Sequence, residues 1–199
     1  MRFRYTYPID TQSDSIRDLA VVLRVVPYEE RHQMVTALTR HHGRVTAIAL
    51  NSVQSRRFGG TLQPFAASEW MWKPQGRNPQ AEVIRLDEAL SRRSYDGIRR
   101  DYARLTGASA LVELFIKAAP EREPCEELFL LLTHALAAIE ESPSIGLDFG
   151  IQAIVNGVVA RLLRWAGVRP ATETCRGGCG LGCQDLGDST VVATSIADA

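Results

Sequence analysis

Apolar and polar positions in the N-terminal part of the chain follow the pattern of short strands. Apolar runs of six to eight residues, and one of eleven that Pro64 interrupts, begin at Leu19 and are separated by turn residues. These runs cover residues 19–26, 32–39, 44–50, 62–72 and 81–86. Five such runs within about 70 residues predict a five-stranded Greek-key barrel of the OB type.

The hydrophobic period changes after Leu86. Segments rich in the helix formers Ala, Leu, Glu and Arg cover residues 97–105, 109–117, 124–140 and 145–166. The 124–140 segment has almost no polar face, which predicts a buried central helix that begins at Pro124 and holds His134 as a hydrogen-bonded core histidine. The fold class is therefore α+β, with the barrel followed by an all-helical domain and a C-terminal Cys/Gly segment.

These patterns divide the chain into four segments. A polar lead-in at 1–18 precedes an OB-fold domain at 19–90, a helical domain at 91–170, and a Cys-rich segment with a polar tail at 171–199. No run reaches ~18 apolar residues, so we expect neither a membrane span nor a membrane partner. The N-terminus has no apolar signal-peptide core, and we expect a cytoplasmic, nucleoid-associated protein.

Charge is distributed unevenly along the chain. Apolar residues make up 45% and charged residues 23% of the 199, as in soluble globular proteins, and the net charge is zero. Residues 1–80 hold 11 basic and 6 acidic residues (+5), whereas residues 81–199 hold 12 and 17 (−5). This asymmetry indicates a polyanion partner for the N-terminal part, and chance clustering is the alternative.

A basic loop is predicted between two of the strands. The sequence Ser55-Arg56-Arg57-Phe58-Gly59-Gly60 supplies arginines for phosphates, a ring for base stacking and glycines for close backbone approach. The alternative is a solvated basic turn with Phe58 packed on the barrel.

Further basic residues lie within or beside the strands. Arg24 and Arg44 fall inside predicted strands, where they face either a ligand groove or solvent. His41 and His42 precede Gly43 in a predicted hairpin turn that needs a positive φ, and we interpret them as turn residues. The complete set of candidate DNA-binding residues is Arg24, Arg44, Arg56, Arg57, Phe58 and Lys73.

Three cysteines lie close together near the C-terminus. Cys175, Cys179 and Cys183 are separated by glycine-rich linkers, which is compatible with a zinc site. The fourth ligand of such a site would be Cys125 or Asp185, and a glycine-rich turn with free thiols is the alternative. No nucleotide-binding loop, hydrolase elbow or metalloprotease motif is present, so nothing in the sequence indicates an enzyme.

Taken together, these segments resemble the bacterial RecO family of recombination mediators. The resemblance is carried in chain order by residues 22–30, 35–44, 55–65 and 162–170, the last of which leads to Cys175 and the Cys179-Gly180 step. The family's zinc-binding members have two Cys-x2-Cys pairs, whereas this chain has Cys-x3-Cys-x3-Cys.

The resemblance implies an OB-fold, a helical domain and, in many members, a zinc site. It implies binding of single- and double-stranded DNA, annealing of complementary strands, and loading of RecA onto DNA coated with single-stranded-DNA-binding protein, together with RecR. The family's basic surface would fall on Arg24, Arg44, Arg56 and Arg57. Two other hypotheses stay open, an OB-fold adaptor that binds protein without strong DNA affinity and a metal-thiolate redox protein.

Overall fold

The computed structural model describes residues 15–53, 55, 57–58, 60–73, 83–143 and 146–168. The strands of this part are β1 Ile16–Tyr28, β2 His32–Thr39, β3 Gly43–Ala49, β4 Ala67–Trp72 and β5 Val83–Arg93. A short 3-10 helix, Asp96–Arg100, leads into the helices α1 Tyr102–Ala118, α2 Glu126–Glu141 and α3 Leu147–Trp165.

The five strands close into a barrel with the order β1-β2-β3-β5-β4. Neighbouring strands run antiparallel except β3 and β5, which pair in parallel between Thr46–Ala49 and Val83–Leu86. Each of these five strands therefore has a neighbour on both sides, which removes the exposed edges of an open sheet. The five-stranded OB-type barrel followed by helices is thereby confirmed.

Alternation along the strands separates an inner from an outer surface. In β3, the buried residues Val45, Ala47 and Ala49 alternate with partly exposed neighbours, as the two-residue period of a strand requires. The small inward side chains leave room for the indoles of Trp70 and Trp72, which share the barrel core. The barrel interior is therefore a packed core and not a binding cavity.

A β-bulge changes which residues of β1 face outward. The β1–β2 register shifts between Val22 and Arg24, where Val22 pairs with Ala37 but Arg24 pairs with Thr36. Val22 packs inside the barrel, whereas Leu23 packs against the helices. Arg24 is exposed. The bulge thus places two consecutive side chains, Leu23 and Arg24, on the outer surface.

The helical domain packs on one end of this outer surface. Val21, Leu23 and Leu38 of the barrel share a core with buried residues of all three helices. Within the helical domain, α1 crosses α3 at Gly107, where an added Cβ would lie 2.3 Å from Ile151 Cγ2. A glycine at this crossing lets the two helices approach closely.

The structure corrects several predicted element boundaries. The 62–72 strand begins only at Ala67, because Phe65 adopts a φ of +73° in the preceding turn. The two predicted helices at 97–105 and 109–117 are a 3-10 turn and one continuous α1. The helix predicted to begin at Pro124 begins at Glu126, with Cys125 as its N-cap.

The prediction that α2 is buried on nearly all sides was also too strong. Leu128, Leu132 and Leu136 are buried, but Leu130 and His134 are exposed. His134 is therefore not a core histidine. The residues around His134 in the sequence are apolar, but α2 packs against the core with one face only. The apolar sequence alone did not reveal that the opposite face is exposed.

Candidate nucleic-acid interface

The helices contact mainly β1 and β2, and they leave much of the barrel surface uncovered, including the outward sides of β3 and β5. One row of paired residues across these strands comprises Val26, Met34, Ile48 and Arg85. The neighbouring row comprises Arg24, Thr36, Thr46 and Val83. We call the surface formed by these two rows, together with Tyr28 at the end of β1, the open face.

Arginines stand at both margins of the open face. Arg24 lies on β1 and Arg85 on β5, and both are exposed. Three strand spacings separate these strands, which corresponds to about 14 Å along the sheet. Between the two arginines lie apolar and hydroxyl side chains, including Thr36 and Thr46, whose Oγ1 atoms are 3.4 Å apart.

Two large side chains on the open face are unusually exposed for their type. Val26 is 41% exposed, and Tyr28, two residues further along β1, is 42% exposed. Because residues i and i+2 of a strand share a face, Arg24, Val26 and Tyr28 form one outward line. A tyrosine ring in this position offers a surface on which a nucleobase can stack.

A cavity of about 250 Å³ adjoins Arg85 where the loop after β3 meets β5. The side chains of Asn51, Ser55, Arg57 and Arg85 line it. Asp87 also lines it and lies 3.9 Å from Arg85 Nε, so it offsets part of the positive charge. Arg57 is exposed and has no acidic partner among the described residues. Two guanidinium groups around a small cavity provide donors that suit phosphate oxygens.

Phe58 lies at the base of the same loop, but its side chain points into the barrel. It is only 3% exposed and packs with the barrel core. The Phe58 N–H donates to the Ser55 carbonyl, and the Phe58 carbonyl accepts from Thr61. A stacking platform needs an exposed ring face, so this placement favours the alternative of Phe58 as a packing residue.

Arg44 binds the helical domain. Its Nη2 lies 2.7 Å from Glu121 Oε1, and its Nε donates to the Ala119 carbonyl at 3.3 Å. The Arg44 backbone N–H donates to the Pro120 carbonyl at 2.9 Å, and its carbonyl accepts from Arg122 at 3.2 Å. These contacts hold the start of β3 against the loop between α1 and α2.

Two candidates for DNA contact remain, Lys73 and Arg56. Lys73 is exposed and directly follows β4. Arg56 lies outside the described residues.

His41 and His42 form a site that the sequence did not predict. The fully buried carboxylate of Asp18 lies 2.9 Å from Nδ1 of His41 and 2.8 Å from Nδ1 of His42, and it accepts the His41 backbone N–H at 2.9 Å. Burial raises the pKa of Asp18, but the hydrogen bonds from His42 and His41 outweigh it, and the net pKa is lowered. The positive φ of Gly43 that closes this turn, +68°, confirms the predicted hairpin.

The predicted metal ligands are mostly outside the described part. Cys175, Cys179, Cys183 and Asp185 lie beyond the last described residue, and the zinc prediction stays a prediction. Cys125 is buried, and burial, followed by the nearby Asp18 charge, raises the pKa of its thiol to about 11. Since zinc binds the thiolate, this environment does not favour Cys125 as a ligand.

No group of His, Cys, Asp or Glu side chains among the residues with described positions is arranged to hold a metal ion. Over the same residues, no helix combines the length and the apolarity needed to cross a membrane.

Sequence reasoning missed Arg85 and Tyr28 as candidate contact residues. Arg85 sits between Ile84 and Leu86, which both pack toward the barrel core. This alternation is visible in the sequence and could have placed Arg85 on the outer surface. Tyr28 could not be placed in this way, because the bulge near Val22 reverses the alternation in β1.

The fold and this face define an OB-type domain joined to a helical domain. The sequence matches the families described as "Recombination protein O N terminal" over residues 14–84 and "Recombination protein O C terminal" over residues 99–181. The chain belongs to the RecO family.

Curated relatives agree with this assignment. The chain is 32% identical over 164 residues to the "DNA repair protein RecO" of Anaeromyxobacter sp. (strain Fw109-5), covering 82% of this chain and 60% of that protein. It is 31% identical to the protein of that name from Synechococcus sp. (strain JA-3-3Ab), covering 80% and 54%. The match to the Nocardioides sp. (strain ATCC BAA-499 / JS614) protein is 36%, covering 80% and 62%. The chain thus spans about three fifths of the length of these relatives.

Proposed function

We propose that this chain binds DNA through the open face of its barrel and acts in recombinational DNA repair without catalysing a reaction. The observation that carries the proposal is the placement of Arg24 and Arg85 at the two margins of a surface that the helical domain leaves uncovered. Arg57 adds a second positive charge next to Arg85, because both side chains line the same cavity. Backbone phosphates are the ligand that such spaced arginines fit best.

The proposal includes both single- and double-stranded DNA as ligands. It also includes annealing of complementary strands, and RecA loading together with RecR on DNA coated by single-stranded-DNA-binding protein. Family membership supports these finer activities. The relatives that carry the name "DNA repair protein RecO" support a place in DNA repair.

Salt-dependent binding tests the DNA part of the proposal. We expect fluorescence anisotropy of labelled DNA to report an affinity that falls steeply as salt rises, because bound phosphates release counterions. The double substitution Arg57→Ala/Arg85→Ala should reduce the slope of log affinity against log salt by about 0.7 per lost contact on single strands.

The matched control for this titration is Arg100→Ala. Arg100 is exposed at the end of the 3-10 helix and has the same charge, but it is not part of the open face. An unchanged slope in the double variant, or an equal loss in the control, would reject the open face as the DNA contact. No binding by the unmodified protein at low salt would reject DNA binding itself.

A protein-binding adaptor is the second candidate function. The exposed Val26 and Tyr28 give the open face an apolar component that suits a protein partner. Pull-downs with purified RecR and single-stranded-DNA-binding protein, in the absence of DNA, distinguish the candidates. Binding that Tyr28→Ser removes, in a protein without DNA affinity, would favour the adaptor.

Zinc binding and thiol redox chemistry are tested by metal analysis. Elemental mass spectrometry and thiol titration of the purified chain would detect a metal held by Cys175, Cys179 and Cys183. A metal-free, redox-inert sample would remove the metal-thiolate hypothesis and leave the DNA proposal intact.

A further inference from the structure

A second concave surface lies where the barrel meets α1. This cavity of about 550 Å³ is bordered by the β1 bulge, the turn at Pro64 and Phe65, and the middle of α1. We call it the α1 groove. Its volume falls within the range of roughly 300–1,000 Å³ typical of pockets for small organic groups.

One face of α1 forms a wall of the α1 groove. The helix residues that line it are Ser109, Val112, Glu113, Ile116 and Lys117. Their spacing of three, four, seven and eight residues from Ser109 is that of one helical face. The opposite side is formed by Leu23 and Arg24, which the bulge brings to the same surface.

The floor of the groove is apolar and held in place. Leu23, Phe65 and Val112 are buried there, so the floor offers apolar contact to the edge of a base and, as at Phe58, no open ring face for stacking. The guanidinium of Arg99 lies over the Phe65 ring, 5.8 Å from its centre, and donates to the Pro64 carbonyl. The turn that contains Phe65 is thus held in place before any ligand binds. Binding therefore loses little conformational entropy in this turn.

The rim of the groove is charged. Arg24 and Lys117 supply two cations, and Glu113 supplies one anion, which leaves a net charge of +1. None of the three forms an ion pair with another residue in the described part of the chain. An apolar floor beneath two cations matches the chemistry of a nucleotide, whose base is flat and whose flanking phosphates are negative.

The groove also continues the open face. Arg24 lines the groove and at the same time begins the line of Arg24, Val26 and Tyr28 on β1. A strand of DNA that follows β1 therefore reaches the groove without leaving the protein surface.

From this geometry we infer that the α1 groove takes one unstacked base of single-stranded DNA, with Arg24 and Lys117 on the flanking phosphates. The inference rests on the proposed DNA-binding function and adds a preference for single strands. A base in a duplex is paired and stacked, and it would have to leave the helix before it could enter the groove.

Filling the groove from the solvent side tests the inference. Ser109 is exposed, and its hydroxyl bonds to the Leu105 carbonyl within α1, so Ser109→Trp adds an indole without cutting into the core. We expect it to weaken binding of labelled oligothymidylate about fivefold or more, as loss of one base contact does. Binding of a duplex of equal length should stay unchanged. The control is Ala110→Trp, an exposed neighbour on α1 that does not line the groove.

Charge substitutions on the rim should act in opposite directions. We expect Lys117→Gln to weaken single-strand binding and to lower its salt slope by about 0.7, because one phosphate contact is lost. Glu113→Gln should strengthen single-strand binding, because it removes the one anion that lines the groove. Both residues are exposed, so neither substitution should affect folding.

The outcomes separate this inference from the proposed function. If the groove variants bind DNA normally while Arg57→Ala/Arg85→Ala does not, the inference is overturned and the DNA-binding function stands. If the groove variants weaken single strands and duplex equally, the groove does not select a base, and the inference is overturned as well. If the unmodified protein binds no DNA, the proposed function and the inference fail together.

Discussion

Asp18 and His42, which are 24 residues apart in the sequence, meet where β1 passes under the β2–β3 turn. Oδ2 of Asp18 lies 2.8 Å from Nδ1 of His42. Since an ionised carboxylate can only accept hydrogen bonds, Nδ1 carries the proton. The Asp18 side chain is fully buried, and it joins the turn to the first strand of the barrel.

Asp18→Asn should destabilise the fold in a pH-dependent way. Because the folded-state pKa of Asp18 is lowered, its ionised form stabilises the protein above the ordinary value of 3.8, and this contribution is lost as the pH falls through the lower folded value. We expect the free energy of unfolding to fall by about 1.5–3 kcal/mol at neutral pH. Urea unfolding at neutral pH and at about pH 3 measures the difference in unfolding free energy between the variant and the unmodified protein. This difference should be smaller at the acidic pH.

The control for this experiment is Glu30→Gln. Glu30 is an exposed carboxylate in the turn after β1, and its substitution removes the same charge without removing a buried hydrogen bond. An equal and pH-independent loss in both variants would contradict the role of Asp18 described above.

Gly43→Ala should be more damaging than a substitution at another left-handed glycine. A Cβ on Gly43 would lie 2.2 Å from the Glu123 carbonyl oxygen, and that atom belongs to backbone that cannot easily move. Gly60 has a similar φ of +75°, but its Cβ would meet nothing closer than 3.9 Å. Gly60→Ala should therefore lower the free energy of unfolding by about 1–2 kcal/mol through backbone strain alone. Gly43→Ala should lower it by clearly more, and thermal or urea unfolding measures both losses.

Gly107→Ala and Gly157→Ala should change stability in opposite directions. Both glycines are in α-helices, where alanine is favoured by about 1 kcal/mol. At Gly157 an added Cβ meets nothing within 4 Å, so the propensity gain should appear in full. At Gly107 the Cβ would lie 2.3 Å from Ile151 Cγ2, and overpacking of this kind costs about 1–3 kcal/mol. Stabilisation by Gly107→Ala would show that α1 and α3 separate easily.

Arg44→Ala and Arg85→Ala should have different consequences although both arginines lie on the barrel surface. Arg44 binds Glu121 and the Ala119 carbonyl, so its loss should lower the unfolding free energy by about 1 kcal/mol and affect DNA affinity little. Arg85 is exposed, and we expect its loss to weaken DNA binding and to leave stability nearly unchanged. Unfolding and anisotropy measurements on both variants give the comparison, and the reverse pattern would contradict it.

Cys125 should resist alkylation in the folded protein. With a thiol pKa of about 11, its thiolate fraction near pH 8 is about 200-fold lower than that of an ordinary cysteine. Iodoacetamide labelling followed by peptide mass spectrometry should find Cys125 unmodified under native conditions and modified in urea. Rapid native labelling would indicate that α2 opens at its N-terminus.

The barrel was predictable from the sequence because apolar runs and turn residues mark its five strands, although β4 begins only at Ala67 and β5 continues past the predicted end at Leu86 to Arg93. The predicted runs 19–26 and 32–39 correspond to β1 and β2, and the positive φ of Gly43 was also expected. The parallel pairing of β3 with β5 does not follow from the pattern, because two strands distant in sequence find each other only through the closed sheet.

The candidate interface was predicted only in part. Arg24 and Arg57 are exposed, as a DNA contact requires. Arg44, in contrast, is bound to the α1–α2 loop, and Phe58 is packed in the barrel core. Residue type and strand period do not reveal which part of an outer surface a second domain will cover. The open face became visible only when the position of the helices was known.

The closed order of the strands has a consequence for synthesis on the ribosome. β1 emerges before the other four strands of the barrel, yet its pairing with β4 joins Ile16 to Trp72, and β5 must follow before β3 and β4 gain their last neighbour. Pairings so distant in sequence form slowly because a long loop must close first. The barrel can therefore close only after Arg93 has left the exit tunnel, and the outward apolar residues Val21 and Leu23 of β1 stay exposed for longer, until the helices emerge and cover them.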